Sequence, residues 1–152
     1  MSAEYSVRPA RASDAPAITA CVADAYKLYI ERMGKPPGPM LDNYADIIRD
    51  HQVTVVEHQG RVVGALVLIK TDEGLLLDNV AVSPEYQGKG VGKILIEFAE
   101  QEARRQGYTS IYLYTNEKMT ENLVLYPKIS YAEYERRIEK GYSRVYLRKQ
   151  LI

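Results

Sequence analysis

Three glycines fall within the six residues Gln87-Gly88-Lys89-Gly90-Val91-Gly92, where a strand-like run hands over to a helix. Upstream lie the apolar stretch Leu75 to Val82 and the turn Ser83-Pro84-Glu85-Tyr86. Downstream, Val91, Ile94, Leu95, Phe98, Ala99 and Ala103 recur at helical spacing, which predicts a helix running to about Gln106 and stopped by Gly107. A glycine that serves no backbone purpose costs about 0.5–1 kcal/mol, so three this close together need a reason. Backbone N–H groups at the start of a helix, unshielded by side chains and at the positive end of its dipole, form a site for phosphate.

The remaining elements place this motif mid-chain. Ser6-Val7-Arg8 is a short strand. Asp14 is placed to cap a helix with Pro16 in its first turn, carried by Ile18, Cys21, Val22, Ala25 and Tyr29 and ending before Gly34. A loop stiffened by prolines follows at Lys35 to Pro39, then a short helix over Asp42 to Asp50. Val53–Glu57 and Val62–Ile69 read as strands joined by a tight turn at Gln59-Gly60, and Asp72-Glu73-Gly74 turns the chain into Leu75–Val82. Ile111 and Leu113 alternate with Tyr112 and Tyr114 on the next strand. Met119 to about Lys128 is a helix, which Pro127 should bend or end. Tyr131–Arg137 and Arg144–Lys149 form a final antiparallel pair. The pattern is mixed α/β, and a helical crossover between neighbouring strands implies at least one parallel pair.

At 152 residues the chain suits one domain, with a core large enough to need neither disulfide nor metal. Twenty basic and twenty acidic residues cancel, so no basic excess points to a nucleic-acid partner. Cys21, the sole cysteine, lies on an apolar helix stripe and reads as buried and inert; His51 and His58 have no companions at metal-ligand spacing. Met1 to Ala10 has no apolar core of a leader, and no apolar run approaches the ~18 residues of a membrane span, so a cytoplasmic location is the default expectation.

Two nucleotide motifs fail against the glycines. A P-loop would need glycine at Gln87 and a hydroxyl side chain at Ile94, and a dinucleotide fingerprint would need glycine at Lys93. By contrast, Gln87-x-x-Gly90-x-Gly92 behind Val80-Ala81-Val82-Ser83-Pro84 resembles the cofactor signature of the GNAT superfamily of N-acetyltransferases. The element order is similar over nearly the whole chain. The resemblance implies a GNAT-like fold: a central, mostly antiparallel sheet with one parallel, splayed strand pair, flanked by helices.

It also implies acetyl-CoA as co-substrate, with no metal. Gln87, Gly88, Lys89, Gly90, Val91, Gly92 and Lys93 would hold its pyrophosphate, Lys89 and Lys93 adding charge. The backbone of Val80, Ala81 and Val82 would bond the pantetheine arm and polarise the thioester carbonyl. Leu125-Tyr126-Pro127-Lys128-Ile129-Ser130-Tyr131 resembles the second cofactor segment, which makes Tyr126 the general acid for the departing thiolate; a phenol with pKa near ~10 carries a proton at neutral pH. This chain departs from the family with Ser130 for the usual glycine and with Met119 where many relatives have asparagine; Asn122, one turn before Tyr126, stands in for the latter or faces solvent. The acceptor is expected to be a small-molecule or peptide amine, with Asp78, Glu117 and Glu121 as candidate bases. Tyr26, Tyr29, Arg32, Met40 and Tyr44 are candidates for the acceptor cleft, and a homodimer is compatible with the family. A non-catalytic acyl-CoA-binding module is the alternative.

Overall fold

The computed structural model describes residues 5–151, so residues 1–4 of the N-terminal stretch read for a leader, and Ile152, lie outside it. Seven strands and four α-helices follow in the order β1 (Tyr5–Pro9), α1 (Ala15–Met33), α2 (Tyr44–Asp50), β2 (Gln52–His58), β3 (Arg61–Thr71), β4 (Gly74–Val82), α3 (Val91–Arg105), β5 (Ser110–Asn116), α4 (Thr120–Lys128), β6 (Ala132–Glu139) and β7 (Tyr142–Gln150). The strands hydrogen-bond in the order β1-β2-β3-β4-β5-β7-β6. β4 and β5 are parallel, pairing Leu76 with Tyr112 and Leu77 with Leu113. The pairs β1–β2, β2–β3, β5–β7 and β7–β6 are antiparallel. This is the mixed, mostly antiparallel sheet with one parallel pair that the sequence implied.

The chain condenses into two compact units that alternate along it. One comprises the residues up to Leu68 together with Asn79–Ala99; the other comprises Ile69–Asp78 and the residues from Glu100 onward.

In the first unit, α1 buries Ile18, Cys21, Val22 and Ala25, one turn apart or nearly so, and ends at Gly34 in the left-handed conformation (φ 77°). Burial pushes the Cys21 thiol above its usual range, as expected of an inert cysteine. Asp14 precedes α1 but its carboxylate makes no capping bond to that helix. It accepts instead from the Arg8 guanidinium at 2.8 and 3.0 Å and from the Arg11 N–H at 2.7 Å, and the hydrogen bond from Arg8 holds its pKa down at about 2. The expected cap is thus spent on a β1 arginine, and Pro16 in the first turn starts the helix. Asn43 caps α2, its Oδ1 accepting from the N–H groups of Ala45 and Asp46 at 3.1 and 3.2 Å. Gln59 and Gly60 both take positive φ (53° and 76°), the conformation of a tight hairpin turn.

β3 carries a glycine inside its buried run. A Cβ at Gly64 would stand 2.8 Å from Val91 Cγ1, 3.1 Å from Leu95 Cδ1 and 3.4 Å from the Ala81 carbonyl oxygen. Val91 and Leu95, on the first turn and a half of α3, are both fully buried. Gly64 therefore sets how closely α3 begins against the sheet.

In the second unit, Leu76, Tyr112 and Tyr146 form a buried cluster with Ile69 and Tyr114 packed against it. The guanidinium groups of Arg137, Arg144 and Arg148 lie over the rings of Tyr146, Tyr114 and Tyr112 at 4.1, 4.3 and 4.9 Å. Three of the thirteen tyrosines lie here, where an apolar ring and a polar tip suit packing beneath arginine side chains.

Candidate active site

The glycine loop follows a single 3₁₀ turn at Pro84–Tyr86. Gly88 and Gly90 both lie in the left-handed region, at φ 78° and 90°, and a Cβ at either would meet nothing within 4 Å. Glycine is needed at both for dihedral freedom. The Ile94 N–H reaches back to the Gly90 carbonyl at 3.0 Å and closes the first turn of α3. The N–H groups of Val91, Gly92 and Lys93 precede that bond, so they belong to the end of the helix that supplies donors outward. The loop is pinned from behind: the Gln87 Nε2 donates to the Val82 carbonyl at 3.1 Å, and the Lys89 N–H to the Tyr86 carbonyl at 3.3 Å. Gln87 thus fastens the loop to the end of β4. Lys89 lies over the Tyr86 ring at 5.5 Å, and Lys93 is exposed.

The end of β4 is tied to α1 and to the approach to α2. Tyr26 donates its hydroxyl proton toward the Asn79 Oδ1 at 2.8 Å and the Val80 carbonyl at 2.9 Å. Asn79 Nδ2 donates to the Tyr44 hydroxyl at 2.9 Å, which in turn donates to the Pro39 carbonyl at 2.7 Å. Asn79 is 3% exposed and Tyr44 likewise. Two of the five candidate acceptor residues, Tyr26 and Tyr44, therefore meet on one buried amide. The Tyr29 ring lies 6.2 Å from that of Tyr26, tilted by 43°, and Arg32 lies over Tyr29 at 5.0 Å, so these extend the same face of α1. Met40 is half-buried in the 3₁₀ turn Gly38–Leu41, its N–H bonded to the Pro37 carbonyl.

In the second unit, Tyr126 is buried within α4, its ring set edge-to-face against Tyr131 at 5.6 Å. Its carbonyl accepts from the N–H groups of Ile129 and Tyr131 at 3.1 and 3.0 Å, which ends the helix one residue after Pro127. Tyr131 donates to Glu100 Oε2 at 2.9 Å, and Lys149 closes the set by donating to Glu100 Oε1 at 2.9 Å. Burial drives the Tyr131 phenol well above its usual range, so it stays a donor to Glu100. Asn122 is half-buried and donates to Thr115 Oγ1 at 3.1 Å, beside the buried Met119. Asp78 is half-buried and accepts from the Tyr114 hydroxyl at 3.4 Å; burial, then Asp78, pushes that phenol up. Glu117 and Glu121 are exposed. Among the described residues, no group of three or more His, Cys, Asp or Glu side chains is arranged for a metal ion, and no helix is long and apolar enough to cross a membrane.

Ser130, the departure from the family's glycine, sits at φ 78° and is exposed. A side chain there carries strain of about 1–2 kcal/mol, so Ser130→Gly is expected to raise the thermal midpoint by a few degrees. Calorimetry checks this; an unchanged or lower midpoint contradicts it.

The profile of the Acetyltransferase (GNAT) family matches residues 22–131, well over half the chain. The chain belongs to the GNAT acetyltransferase family. Among curated relatives, the mycothiol acetyltransferase of Jonesia denitrificans is 35% identical over 91 residues, covering 58% of this chain and 29% of that protein. The chain thus matches under a third of that relative's length. An uncharacterized N-acetyltransferase of Chlorobaculum tepidum is 27% identical over 142 residues, 89% of this chain and 80% of that one. Among solved structures, the PaiA N-acetyltransferase of Thermoplasma acidophilum in complex with coenzyme A has a TM-score of 0.78 at 16% identity, covering 96% of this chain and 98% of that one. At that identity the likeness shows the GNAT fold.

Proposed function

We propose that this GNAT protein transfers an acetyl group from acetyl-CoA to an amine by direct attack in a ternary complex. The observation that carries the donor is the start of α3, where the N–H groups of Val91, Gly92 and Lys93 follow two left-handed glycines. Such a cradle suits a diphosphate, because the missing side chains allow close approach and the helix dipole favours the charge. We read both compact units as parts of one N-acetyltransferase domain, since the family match runs through each.

The chemistry asked of the residues is specific. The amine forms the new C–N bond at the thioester carbonyl, and a backbone N–H at the end of β4 steadies the oxyanion. As the C–S bond breaks, the Tyr126 phenol gives its proton to the thiolate. The ammonium proton passes to Asp78, directly or through water. The acceptor is a small-molecule or peptide amine. A non-catalytic acyl-CoA-binding module is the alternative, favoured by the engagement of Asp78 with Tyr114 and by Ser130 in place of the family's glycine.

Acetyl-CoA at a hundredfold excess over its Kd is expected to stabilise the protein by about 2.7 kcal/mol, raising the melting temperature by several degrees. No shift at saturation overturns the donor assignment. Mass spectrometry of products from a mixed amine panel then identifies the acceptor, and binding without thiol release across the panel selects the non-catalytic reading.

A further inference from the structure

The buried amide of Asn79 joins two tyrosines from different elements to the backbone of β4. Tyr26 comes from α1 and Tyr44 from the start of α2, and both hydroxyls end on Asn79 at 2.8 and 2.9 Å. The Tyr26 hydroxyl also reaches the carbonyl of the next residue, Val80, at 2.9 Å. Two residues on, the Val82 carbonyl is held by Gln87. Every polar group in this set has a partner of the right kind: the amide nitrogen donates, the amide oxygen accepts, Tyr44 passes its own proton to Pro39, and Tyr26 shares its proton between two acceptors. A satisfied buried network of this kind rigidifies the backbone it touches.

Polar groups so deeply placed are costly unless paired, and an apolar residue at 79 would fill the same space without that requirement. All that the network fixes is peptide geometry at Val80 and the entry of the chain into α2. Resting on the reading of β4 as the strand that holds the acyl end of the donor, we propose that Asn79 is a positioning residue. It locks Tyr26 onto the Val80 carbonyl, and so orients the Val80–Val82 peptides toward the thioester carbonyl. Tyr26 and Tyr44 accordingly work with their hydroxyls turned to β4, as braces.

The role predicts a particular selectivity. Coenzyme A and acetyl-CoA share every group except the acetyl, so a fault confined to the peptides that face the thioester separates them. Tyr26→Phe keeps the ring and removes only the brace. It is expected to weaken acetyl-CoA binding by about tenfold while changing the coenzyme A Kd less than about threefold, both read by titration calorimetry. Asn79→Ala is expected to show the same selectivity, and the double variant to be no more selective than the stronger single, because one path is broken in each. Equal weakening of both ligands, or unchanged selectivity in Tyr26→Phe, overturns the positioning role. The melting temperature of Tyr26→Phe, read alongside, separates that outcome from simple loss of fold. Failure of the unaltered protein to bind either ligand overturns the donor reading instead, so the two failures are distinguishable.

Discussion

Tyr126→Phe is expected to lower acetyl transfer by at least about a hundredfold, the contribution of a positioned general acid, while leaving acetyl-CoA binding nearly intact. The ring has reason to stay in place. Phe keeps the edge-to-face packing on Tyr131, and the two N–H groups that end α4 bind the Tyr126 carbonyl, which the change does not touch. The change removes the phenol proton proposed for the thiolate. The measurement is kcat with the best acceptor from the amine panel, set beside the acetyl-CoA Kd. Turnover within a factor of two of the unaltered protein would remove Tyr126 from the mechanism and leave it as a packing residue beneath Tyr131.

The second large effect concerns stability. Gly64→Ala is expected to cost about 1–3 kcal/mol, the usual penalty for overfilling a packed core, and Gly64→Val more. The methyl of alanine would sit 2.8 Å from Val91 Cγ1, and a valine side chain has no flexible end with which to move away. Relief comes only by shifting the start of α3, the same turn whose N–H groups are proposed to hold the donor. Both substitutions should therefore lower the melting temperature and shrink the added stabilisation by acetyl-CoA. Gly92→Ala is the contrast. A Cβ there meets Val82 Cγ2 at 3.7 Å, an ordinary contact, and alanine favours a helix by about 1 kcal/mol over glycine. The unliganded Gly92→Ala protein should melt no lower than the parent. Equal melting losses at positions 64 and 92 would refute the close-approach argument.

The two glycine effects also show what was legible in the chain. The loop glycines announce themselves because three of them interrupt a strand-to-helix transition, where local backbone chemistry decides the structure. Gly64 is as consequential and hardly visible. It lies in an apolar run that reads as a buried strand with or without it, and its partner Val91 is 27 positions away. The available signal was the rule that a lone glycine within a strand marks a close approach. Asn79 is hidden for a related reason: an amide beside the Asp78 carboxylate carries no local signature, and its tyrosine partners are 53 and 35 positions away. Asp14 stands at the N-cap position of α1, but a carboxylate serves whichever donors reach it, and Arg8 reaches it from β1. Helix α2 was expected two residues early because Asp42 and Asn43 are both good caps, and only the folded chain shows Asn43 taking the N–H groups. Local patterns were thus readable, and long-range partners were not.

β7 lies between β5 and β6 in the sheet, although it follows both in the chain. On the ribosome, β5 and β6 emerge before the strand that will join them, each with an open ladder edge. Glu100 is made early as well, yet its cation, Lys149, arrives only with β7. The first compact unit has all its residues by Ala99, whereas the second can pair β4 with β5 once Asn116 is made but lacks β7 until Gln150. Vectorial synthesis thus gives the two units different waiting times, and the exposed edges of β5 and β6 are where a nascent chain of this protein most needs a chaperone.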